Sequence, residues 1–105
     1  MKTAVFEGIS FPVDEEGFLL DPSLWGPAWV EMIRRDEDID EITDEHLELM
    51  DLLRAYAGEH GQPPRVRDMT AVTGFKLKLI YELFPSGPGK GACKMAGLSK
   101  PDGCA

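Results

Sequence analysis

The sequence has 105 residues, 43% of them hydrophobic and 29% charged, with a formal net charge of −8. That composition fits one compact domain around a modest core, excludes a disordered chain, and contains no apolar run near the roughly 20 residues needed to span a bilayer. The charge is uneven: residues 1–61 hold 4 Lys/Arg against 16 Asp/Glu, whereas residues 62–105 hold 7 against 3. The acidic part reads as a solvated face, and the basic part suits an anionic substrate or an acidic cleft on a partner.

In chain order, Met1 to Glu7 lack the apolar stretch of a secretory signal and carry an early acid, so the expected compartment is the cytoplasm, where thiols stay reduced. Residues 4–20 read as short strands punctuated at Gly8 and Gly17, with Pro12 confining its strand to an edge. A small hairpin is expected there. Pro27 suits a first helical position ahead of Trp29, Met32 and Ile33. Asp44 and Glu45 favour the start of a second helix, whose apolar stripe is predicted as Leu47, Met50, Leu53 and Tyr56, widened by Leu49 and Leu52. Gly58 and Gly61 weaken and stop it. Pro63 and Pro64 open a third helix carrying Val66, Met69 and Val72 and ending at Gly74; a fourth runs from Phe75 to Phe84, with Leu79, Ile80 and Leu83 inward. Trp25, Trp29 and Tyr81 are expected in the core.

After Pro85 the composition turns glycine-rich. Residues 90–96 could form a short helix, but beyond Gly97 the only large apolar residue is Leu98. The expected architecture is therefore mainly α: a small helical bundle over residues 1–97 with an N-terminal β-hairpin (4–20) and a helix-turn-helix-like pair, followed by a flexible arm over 98–105.

Both cysteines, Cys93 and Cys104, fall in this basic, glycine-rich end. Ten residues separate them, which is not the spacing of a redox C-x-x-C pair. His46 and His60, expected on a helix surface, do not complete a zinc set with them. One reading is a structural disulfide closing a 12-residue loop, nominally worth roughly 3 kcal/mol but ill-suited to a reducing compartment. Another takes both as incidental thiols, which fits Cys93 as a small buried residue better than Cys104. The third is thiol chemistry. Cys104 has only Ala105 after it and little apolar surface nearby, Lys94 and Lys100 favour its thiolate, and the arm could fold back so that the two thiols meet and hold a disulfide or one extra sulfur.

The run Gly74-Phe75-Lys76-Leu77-Lys78, then Tyr81 to Lys94, Ala96-Gly97-Leu98 and Lys100-Pro101-Asp102-Gly103-Cys104 closely resembles the DsrC/TusE family, with looser agreement upstream at Asp14 to Leu19, Trp25, Trp29 and Val30. The resemblance implies a small helical fold with a flexible C-terminal arm, and a sulfur carrier rather than an enzyme. It makes Cys104 the sulfur-bearing nucleophile and, through the second cysteine of the dissimilatory branch, Cys93 the resolving thiol. It further implies that the chain is co-substrate to the alpha and beta subunits of a dissimilatory sulfite reductase. That partner holds the sirohaem and iron–sulfur clusters, with no cofactor or metal on this chain. A membrane-bound complex would reduce a Cys93–Cys104 trisulfide, or upstream sulfurtransferases would load persulfide in the opposite direction. Ser99 departs from the proline usual before Lys-Pro. Lys76, Lys78, Lys90, Lys94, Lys100, Arg65 and Arg67 are candidates for contact with an anion or partner.

Three other readings compete. A persulfide relay for tRNA thiouridylation would use Cys104 alone. The Pro64–Phe84 stretch, with Lys76 and Lys78 opening the would-be recognition helix, resembles a DNA-binding helix-turn-helix, but the overall negative charge opposes the phosphate attraction on which DNA affinity depends. A third reading is a purely regulatory thiol switch, with Cys93–Cys104 as an allosteric disulfide and no sulfur transfer.

Overall fold

The structure, a computed structural model, describes residues 2–103. The hairpin pairs β1 (Lys2–Phe6) with β2 (Ile9–Val13) antiparallel, Lys2 opposite Val13 and Phe6 opposite Ile9. Its two-residue turn, Glu7-Gly8, takes φ of 51° and 77°, the double-positive turn that matches the twist of the flanking strands. Asp14 then folds the chain back: its carboxylate accepts from the N–H groups of Glu16 and Phe18, both at 2.9 Å, and an isolated bridge links Val13 to Leu19.

Four α-helices follow. α1 (Pro27–Asp36) starts on its proline as expected and presents Trp29 and Ile33 inward. On its outer side Glu31 bonds Arg34 and Arg35, and the two guanidinium groups hold the Glu31 carboxyl down at about 2. α2 (Asp44–His60) is opened by Thr43, whose hydroxyl accepts from the His46 N–H while its own N–H donates to His46 Nδ1 at 3.0 Å. Gly61, at φ 78°, closes it. The third predicted helix is instead a 3₁₀ turn at Val66–Asp68 and a short α3 (Met69–Thr73), because the buried pair Pro63-Pro64 is not helical and Arg65 is extended. α4 (Leu77–Leu83) begins later than predicted: Gly74 turns left-handed at φ 76°, and Thr73 Oγ1 takes the Phe75 N–H. α3 and α4 follow one another across the Gly74 turn, in the stretch where a helix-turn-helix-like pair was expected. No helix among the described residues is long and apolar enough to cross a membrane.

Phe11 and Trp29 meet edge to face at 5.2 Å in the core, joined by Leu49, Leu53, Met69, Ile80 and Phe84, all at most 1% exposed. Three expectations about the core are corrected. Tyr81 is 51% exposed, because on a seven-residue helix Ile80 and Leu83 take the inward face. Leu47 is 48% exposed, since the buried face of α2 runs through His46, Leu49, Met50 and Leu53. His46 is not on the surface: it stacks on Phe84 at 5.1 Å, and its Nε2 bonds the Leu83 carbonyl at 2.8 Å. With Nδ1 accepting from Thr43, Nε2 carries the proton and donates.

Candidate functional site

Cys93 closes a π-helix, Pro88–Cys93, where a short α-helix over 90–96 was expected. Wide turns of this kind are rare and concentrate at functional sites. Close packing shapes this one. Gly91 lies so near α4 that a Cβ there would stand 2.8 Å from the Cβ of Phe84, and at Gly87 (φ 92°) a Cβ would fall 2.8 Å from the Tyr81 ring. Glu37, just beyond α1, holds the approach by accepting the Ser86 N–H at 3.0 Å and its hydroxyl at 2.6 Å. Cys93 is 0% exposed, as are Ala92, Met95 and Ala96.

The next three carbonyls are each taken by a different side chain. Trp29 Nε1 donates to Lys94 O at 2.8 Å, Trp25 Nε1 to Met95 O at 2.9 Å, and Arg54 Nη1 to Ala96 O at 2.8 Å. The Arg54 guanidinium also lies 3.8 Å over the Trp25 ring. Gly97 turns left-handed against that ring, and the Leu98 N–H closes back on the Cys93 carbonyl at 3.0 Å. The root of the arm is therefore fixed by donors from α1, α2 and the segment before α1. None of the three was predicted as a site residue: Trp25 and Trp29 were expected only as core, and Arg54 carries no motif of its own.

Beyond the root, Lys100 Nζ reaches Glu16 at 2.9 Å, Pro101 is buried, and the Asp102 carbonyl accepts the Val66 N–H at 3.1 Å. Cys104, the predicted nucleophile, lies outside the described residues. Of the predicted basic residues, Lys90, Lys94 and Lys100 converge on Glu16. Arg65 and Arg67 line a cleft of about 340 Å³ with Val66, Asp102 and Gly103, where Arg65 also bonds Asp68 at 2.8 Å. Lys76 and Lys78 sit exposed at the start of α4. His60 is exposed, and no cluster of three or more His, Cys, Asp or Glu among the described residues could hold a metal ion.

Residues 5–105 match the family described as DsrC like protein. A "Sulfite reductase, dissimilatory-type subunit gamma" from Nitratidesulfovibrio vulgaris Hildenborough is 53% identical over 99% of both chains. "Sulfurtransferase TusE" from Escherichia coli K12 is 33% identical over 95% of this chain and 97% of its own. Among solved structures, the crystal structure of dissimilatory sulfite reductase I (DsrI) contains a chain that matches at TM-score 0.87 and 49% identity, over 99% of this chain and all of that one. The oxidized gamma-subunit from Archaeoglobus fulgidus matches at TM-score 0.79 and 34% identity, with 99% and 100% coverage. The chain belongs to the DsrC-like protein family.

Proposed function

We propose that this protein is a sulfur carrier of dissimilatory sulfur metabolism, a protein co-substrate of dissimilatory sulfite reductase that carries sulfur on Cys104 and bridges it to Cys93. The observation that carries the reading is the 53% identity, over nearly the whole of both chains, to a dissimilatory-type gamma subunit, against 33% to a TusE sulfurtransferase. The second thiol, at the root of the arm, supports the same branch.

In this scheme the arm enters the partner, whose alpha and beta subunits hold the sirohaem and iron–sulfur clusters. There sulfite has been reduced by two electrons. The Cys104 thiolate attacks that sulfur, and Cys93 closes on it; the two thiols give up two protons and two electrons, the remaining oxygens leave as water, and one zero-valent sulfur stays bridged between the cysteines. Reduction by a membrane-bound complex then releases sulfide and restores both thiols. With loading from upstream sulfurtransferases the path runs in reverse. The basic residues around the arm, Lys90, Lys94 and Lys100 on one side and Arg65 and Arg67 on the other, guide it towards an anionic substrate or partner surface.

Intact mass spectrometry after turnover with the reductase and limiting sulfite tests this. A species about 30 Da above the dithiol is expected, as one bridging sulfur replaces two hydrogens, and it should vanish in Cys104→Ala and in Cys93→Ala. Dithiol and plain disulfide alone would overturn the trisulfide. A thiouridylation relay, the role the TusE relatives suggest, predicts instead a persulfide on Cys104 that survives Cys93→Ala.

A further inference from the structure

Glu16 has no part in sulfur chemistry, yet three lysines from the thiol-bearing end converge on it. Its carboxylate takes Lys100 at 2.9 Å and Lys90 at 3.8 Å, while its backbone carbonyl takes Lys94 at 2.8 Å. Lys94 is further held over the Phe18 ring at 5.0 Å. The turn that presents Glu16 is preorganised: Asp14 Oδ1 bonds the N–H groups on both sides, Glu16 and Phe18, and Gly17 at φ 88° bonds back to the Asp14 carbonyl. Lys90 and Lys94 flank Cys93, whereas Lys100 belongs to the arm. One carboxylate on a rigid turn of the body thus spans the π-helix and the arm.

We infer that Glu16 is the latch that holds the arm against the body, a positioning residue acting through Lys100. The inference rests on the carrier reading for its purpose, since an arm that must enter a partner needs a hold weak enough to release. A partly exposed ion pair, with Lys100 at 31% and Glu16 at 42% exposure, meets that requirement, because it is screened by salt. An anionic surface that takes Lys100 in place of Glu16 undoes it.

The Val66 amide reports the state of the latch, because it sits on the body and donates to the Asp102 carbonyl of the arm. Amide exchange in the full chain should show Val66 exchanging about two- to fivefold faster in Glu16→Gln or Lys100→Gln at low salt, the span expected of a partly exposed pair. The double variant should fall short of the product of the two single effects, since both break the Lys100–Glu16 pair. The amides of Leu49 and Leu53 should not change, and salt should bring wild type to the rate of Glu16→Gln. A Val66 rate unaffected by Glu16→Gln, or a wild-type rate indifferent to salt, would overturn the latch. Amide exchange needs no sulfur on the chain, so a missing trisulfide counts against the carrier reading alone.

Discussion

Gly97 shows how tightly a single position can fix the arm. Its φ of 74° belongs to the left-handed region, and a Cβ there would stand 2.4 Å from Cδ1 of Trp25. An alanine would meet the conformational cost, about 1–2 kcal/mol, and would also push the indole off the Met95 carbonyl and out from under Arg54. Overpacking of that kind costs about 1–3 kcal/mol more. Gly97→Ala should therefore lose about 2–5 kcal/mol in urea unfolding. Gly8→Ala is the control: its φ of 77° is equally left-handed, but nothing lies within 4 Å of the added Cβ. It should lose only about 1–2 kcal/mol. Equal losses at the two sites would remove the indole contact from the account. The sequence marks Gly97 as the end of an apolar stretch, but nothing in it shows that Trp25, far away along the chain, supplies the wall.

At the scale of elements, local signals were legible and tertiary ones were not. Pro27, Asp44, Gly61 and Gly74 punctuate helices α1 to α3 where sequence chemistry puts them. The π-helix could not be read, because Pro88-Gly89-Lys90-Gly91 has poor helical propensity and is wound by its packing on Phe84. The phase of α2 was misread for a related reason. Counting apolar residues brings Leu47 inward, but His46 occupies the core because Thr43 on one ring nitrogen and the Leu83 carbonyl on the other satisfy both. The same pair caps the helix that carries Arg54 to the arm root. Thr43→Ala removes the hydroxyl that takes the His46 N–H and lies 2.8 Å from Nδ1, while the backbone N–H that donates to Nδ1 stays. It should destabilise the protein by about 1 kcal/mol in thermal or urea unfolding, whereas Thr43→Ser, which keeps the acceptor, should stay near wild type. A Thr43→Ala variant as stable as wild type would show that the cap contributes nothing.

Across the whole molecule, Cys93 is sealed in the body at 0% exposure, with α2 and α4 packed against its π-helix, while Cys104 falls outside the described residues. The resemblance in the last third of the sequence implies a role for each cysteine but could not say that Cys93 is covered. In the carrier role proposed above, that burial would keep the second thiol from small oxidants until a loaded Cys104 reached it. It also sets a condition on the proposed bridge: Cys93 can be reached only when the surrounding segment opens, so reaction at Cys93 should follow the population of that opening. In a Cys104→Ala variant, alkylation of Cys93 by iodoacetamide should be at least about tenfold slower in native buffer than in urea, the factor that an opening free energy of about 1.4 kcal/mol produces. Adding Gly97→Ala, which displaces Trp25 from the carbonyl just beyond Cys93, should recover part of that factor. An unmodified Cys104→Ala variant whose Cys93 reacts as fast folded as unfolded would mean that the thiol is open in solution, and closure onto it would then need no rearrangement of the body.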